Sequence, residues 1–140
     1  MSNELARNIQ DASLNPAAFA LPAAASSSTT SAVIDLGTDS FKPSNIELDL
    51  AIPALSTTIA PDTRTVTAII ETSTTSVFTA VDTTIFSRIL TGASSAGIGA
   101  QTGLRCRLPS NCAQYVRAKV TFGASTTDGS ALSATLTARF

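Results

Sequence analysis

The chain carries ten acidic side chains (Glu4, Asp11, Asp35, Asp39, Glu47, Asp49, Asp62, Glu71, Asp82 and Asp128) and no histidine. General acid–base catalysis needs a carboxyl, an imidazole or another tuned group aimed into a cleft. Glu47 and Asp49, at i and i+2, share one face of any strand that holds them. Such a pair could flank a glycosidic bond or hold a hard cation. It equally describes a solvated polar face, the commoner fate of strand carboxylates. No EF-hand spacing surrounds it. Without histidine, triads with a His base and His-containing zinc or haem sites cannot be built. Lys42 and Lys119 are the only lysines, and neither stands in an S-x-x-K context.

Cys106 and Cys112 are the whole thiol inventory, spaced C-x5-C and not C-x-x-C. Both have the parity of apolar neighbours, which predicts small buried hydrophobes with free thiols. A disulfide stays open if their Cβ atoms come within about 4 Å. The glycine-rich stretch 92–103 has no G-K-[ST] ending, so it is no phosphate cradle. No cofactor or metal is expected. Arg105, Arg107, Arg117 and Lys119 lie on two neighbouring strand candidates and predict one basic stripe if those strands pair. Nucleic acid is the sharp reading, but Tyr115 is the only aromatic nearby and stacking platforms need more. Carboxylates of a partner protein suit the stripe better, and an ordinary charged sheet face is the simplest account.

These residues must be positioned by strands. Of 140 residues, 44% are hydrophobic and 14% charged, against about 25% charged in typical domains. The net charge of −1 creates no field for nucleic acid or an anionic membrane. Ser and Thr must supply much of the polar surface. Thr favours strands because its branched Cβ restricts χ1 in helices. Ile46, Leu48, Leu50 and Ile52 alternate with Glu47, Asp49 and Ala51, the clearest half-buried strand. The same period of two marks 33–36, 65–71, 104–108, 116–122 and 132–140. Residues 77–82 and 85–90 are weaker candidates, with apolar groups on both faces, and 83–90 could instead be a short helical turn. Residues 41–45 read as a turn and 92–103 as a long loop.

About eight strands between turn signals predict one all-β domain over 31–140, an eight-stranded antiparallel jelly-roll sandwich. Residues 1–30 form a separate arm. Leu5, Ile9 and Ala12 predict two helical turns over 4–11, stopped before Pro16, and 16–30 is an extended Ala/Pro/Ser segment outside the core. Leu5, Ile9, Phe19 and Leu21 would anchor such an arm on a neighbouring molecule. No apolar run approaches 18 residues, and the first residues lack the pattern of an export signal, so no membrane role is expected and a cytoplasm is the expected place of synthesis.

The Ala/Pro/Ser arm after Met1-Ser2-Asn3-Glu4-Leu5, the segment Leu104-Arg105-Cys106-Arg107-Leu108-Pro109 and the segment Tyr115-Val116-Arg117-Ala118-Lys119-Val120 resemble the cement proteins of short-tailed Bordetella phages. The resemblance implies a jelly-roll domain on the outer surface of an icosahedral head, pairing as a homodimer and clamping the phage major capsid protein. It implies no catalytic residue and no small-molecule substrate. A sugar- or protein-binding β-sandwich, fimbrial or lectin-like, is the alternative; it requires exposed aromatics and export. A small hydrolase built on Glu47 and Asp49 would require a cleft and a raised carboxyl pKa.

Overall fold

The computed structural model describes residues 18–37 and 46–139. The described residues form nine strands: β1 (Phe19–Ala20), β2 (Ser28–Thr30), β3 (Ile34–Asp35), β4 (Glu47–Ile52), β5 (Thr65–Ser73), β6 (Thr83–Thr91), β7 (Gln101–Arg107), β8 (Tyr115–Phe122) and β9 (Ser133–Arg139). One sheet has the order β1-β9-β4-β7; the other has β2-β8-β5-β6, with β3 also on β8. All ladders are antiparallel.

The pairing is nested. β1 pairs with β9, β2 and β3 with β8, β4 with β7, and β5 with β6. β2 and β3 act as one strand broken at Ser31, so the chain is an antiparallel ribbon folded back on itself and rolled up. Two further ladders, β4–β9 and β5–β8, close the sheets. The result is a two-sheet antiparallel sandwich consistent with a jelly-roll-like architecture. At the break, Ser31 keeps the backbone satisfied: its N–H donates to Ala118 O at 2.9 Å, and its Oγ accepts from the Ala118 N–H at 3.0 Å.

The core lies between the sheets. Leu48, Leu50 and Ile52 of β4, Val66, Ala68 and Ile70 of β5, Val116, Ala118, Val120 and Phe122 of β8, and Ala134, Leu136 and Ala138 of β9 are buried at alternate positions. Each fully buried Val, Leu, Ile or Phe contributes about 1.5–3 kcal/mol, so a one-residue slip in register would forfeit a whole row. The loop after β6 seals one end. There Ile98 forms a bridge with Leu55, and Gly97 passes so close at φ +66° that an added Cβ would collide with the Leu55 carbonyl.

Several expectations are corrected. The boundary at residue 30 does not hold, because Phe19 (8% exposed) and Leu21 (1%) enter the core and 18–30 supplies two edge strands. An edge strand needs one ladder and one buried face, which a Ser/Ala/Pro-rich segment can supply. Residues 77–82 are no strand. They belong to the β5–β6 connection, where Phe78 takes φ +50°. Residues 83–90 are strand and not helical turn. The loop from 92 is shorter than expected, since β7 starts at Gln101. The predicted helix over 4–11, with Leu5 and Ile9, and the turn at 41–45 lie outside the described residues.

Candidate interaction faces

The registers place charged side chains on both outer faces of the sandwich. On the β7–β4–β9 face, Asp49 stands opposite Arg105 on one side and Thr137 on the other, and Glu47 stands between Arg107 and Arg139. Asp49 Oδ2 lies 3.2 Å from Arg105 Nε and 3.3 Å from Arg139 Nη2. Arg105 Nε is also 3.6 Å from Glu47 Oε1. One carboxylate thus clasps arginines from both flanking strands. The Asp49 side chain is 9% exposed under them, while those of Arg105 and Arg139 are 52% and 53% exposed. Asp49 Oδ1 is buried and has no hydrogen-bond partner among the described residues. Arg107 is exposed on the same face and joins no ion pair among them.

This arrangement decides what the Glu47–Asp49 pair can do. Both carboxylates share a face, as the alternation predicts. Two guanidinium groups occupy the approach to Asp49, and their charge opposes a hard cation there. No cluster of three or more Cys, Asp or Glu suited to a metal occurs among the described residues.

On the β6–β5–β8 face, Glu71 and Arg117 are cross-strand neighbours. Arg117 donates from Nε to Glu71 Oε1 at 2.7 Å, and its Nη2 lies 2.6 Å from the same oxygen. The side chains are only 5% and 20% exposed, because the 74–82 connection folds over them. Phe78 caps the pair, with the Arg117 Cζ 4.0 Å from its ring centroid. The strap is pinned at both ends. Ser73 Oγ donates to Ala80 O at 2.8 Å, the Asp82 N–H donates to Thr72 O at 2.9 Å, and the Thr74 N–H donates to Asp82 Oδ2. Lys119, opposite Ile69, is half-buried and joins no ion pair among the described residues.

The single basic stripe is therefore corrected. Arg105 and Arg107 lie on β7 in one sheet, and Arg117 and Lys119 on β8 in the other. Consecutive strands with a turn between them suggest a hairpin. Here the connection crosses between sheets instead, tied by Leu108 N–H to Ile46 O at 3.0 Å and Leu36 N–H to Gln114 O at 2.9 Å. Phe19 and Leu21, the suggested arm anchors, face the chain's own core. Arg139 and the Glu71–Phe78 cover were missed. Glu71 had outward parity, but nothing in its neighbourhood signalled that a strap would bury it.

The cysteines lie inside the sandwich. Cys106 is on the core side of β7, and Cys112 is buried in the following connection. Burial, and then the nearby Glu47 charge, push the Cys106 thiol up to about 11. A thiol so protonated at neutral pH is a poor nucleophile. No helix among the described residues is long and apolar enough to cross a membrane. Comparison with protein-family models and with curated proteins gives no match.

Proposed function

We propose that the chain is a structural virion protein that acts by binding and not by catalysis. In this reading it is an accessory cement protein on the outer surface of an icosahedral phage head, assembled in the host cytoplasm, and stabilises contacts between major capsid subunits. The observation that carries the binding half is the use of the two buried carboxylates. Asp49 and Glu71 are both committed to arginines on outer sheet faces. Groups so engaged stiffen a surface and hold guanidinium groups in place. The cement half draws support from the resemblance carried by residues 104–109 and 115–120, and from an all-β sandwich with long sheet faces whose edges among the described residues are β1, β2, β6 and β7.

The physics of such a role is mass action. A protein that binds the assembled shell, and not the free subunit, stabilises the shell by its binding free energy at every copy. An eight-stranded jelly roll pairing as a homodimer would double the contacts each attachment makes. The test is purification of intact particles followed by quantification of this chain against the major shell subunit. A fixed stoichiometric ratio is expected. Particles without the chain would sink the reading.

A further inference from the structure

We propose that the outer face of the β7–β4–β9 sheet docks an acidic segment of the partner protein, read by Arg105, Arg107 and Arg139. Among the described residues, three guanidinium groups stand there against two carboxylates, Glu47 and Asp49, an excess of one positive charge on a chain whose net charge is −1. Asp49 orients Arg105 and Arg139 before any partner arrives, so little side-chain freedom is lost on binding. A guanidinium has five N–H donors, more than the shared Asp49 oxygen can accept, and both groups remain half exposed. Bidentate capture of a further carboxylate uses those donors. Arg107 adds an exposed charge with no ion pair among the described residues. The flanking positions Ala51, Thr135 and Thr137 are small, which leaves the arginines accessible from above.

Carboxylates fit this face better than nucleic acid does. Among the described residues the face offers no aromatic platform, since Tyr115 is on the other sheet. The opposite outer face is a weaker candidate because Arg117 is sealed beneath Phe78.

The face rests on the proposed function only for the identity of its partner. The full chain is titrated with hexaglutamate and followed by NMR at the arginine side-chain N–H resonances. Binding that perturbs Arg105, Arg107 and Arg139 and fades at high salt is expected. Arg107→Glu should weaken it about tenfold, and its fold should survive because Arg107 is exposed and joins no ion pair among the described residues. Arg88→Glu, on the other sheet, should change it less than about twofold. No binding by the unmodified chain, an equal loss in Arg88→Glu, or tighter binding of oligothymidylate would overturn the proposal. Co-sedimentation with phage heads separates the two readings. Unmodified chain on the heads with Arg107→Glu depleted supports the face. Equal occupancy by both overturns the face and leaves the cement role standing. If the unmodified chain stays off the heads, the cement role fails, and the hexaglutamate titration still decides the face.

Discussion

The two outer faces of the sandwich use the same pair of chemical groups to opposite ends. On the β7–β4–β9 face a buried carboxylate holds two arginines whose side chains stay 52% and 53% exposed. On the β6–β5–β8 face a carboxylate and an arginine, 5% and 20% exposed, are closed under Phe78. The first arrangement keeps its cations available in water, where each contact adds little to stability. The second removes both charges from solvent, so each depends on the other. Placement under a strap, and not the identity of the ion pair, separates a surface fit for contact from an internal brace.

The largest effect that would break this contrast is Arg117→Ala. It leaves the Glu71 carboxylate buried without its partner and should cost about 3 kcal/mol in chemical denaturation. A loss near that of an exposed pair would show that the strap does not seal the site. Next comes Phe78. Phe78→Ala should cost about 2 kcal/mol, less than a full core truncation because the buried ring packs outside the core between the sheets. Phe78→Gly should be about 0.5–1 kcal/mol less damaging than Phe78→Ala, since glycine takes φ +50° freely. If both variants are equally damaged, the positive φ is not native to the strap. Arg105→Ala should cost only about 0.5 kcal/mol, and that loss should shrink as salt is added, whereas the Arg117→Ala loss should not.

The smallest effect concerns pH. The Cys106 thiol, raised from 9.0 to about 11 by burial and by Glu47, favours the protonated folded state. Its contribution is complete below pH 9 and is lost as pH rises from 9 to 11, because the unfolded thiol ionises first. Denaturation midpoints should therefore fall less steeply over that window in Cys106→Ala. Parallel curves would place the thiol in water.

Strands with a buried and a wet face were legible in the sequence. β4, β7, β8 and β9 follow their alternation closely. β6 was ambiguous because its wet face carries Ile89, 64% exposed, and its core-side parity includes the exposed Arg88. An arginine turned toward the core side of an edge strand discourages edge-to-edge pairing, but it erases the period that identifies the strand. β1 and β2 were unreadable because two or three residues carry no period, whereas β3 lies inside the strand expected over 33–36. The shared face of Glu47 and Asp49 follows from spacing alone. Their arginines do not, because Arg105 is 56 residues from Asp49 and only the sheet register joins them. The predicted basic stripe failed for the same reason. Proximity in sequence puts β7 beside β8, while the rolled ribbon puts them in different sheets.

The β1–β9 ladder has a mechanical consequence. Phe19 lies opposite Ala134 and Ala20 opposite Ser133, so β1 runs antiparallel to β9 with Phe19 nearer the Arg139 end. Force applied through residues 18 and 139 would enter at one corner and peel this short ladder one bond at a time. Force applied across the sheet faces would instead load the long β5–β6 and β5–β8 ladders, whose many bonds share the strain. A sandwich built this way resists lateral stretch across β5 better than tugging at residues 18 and 139.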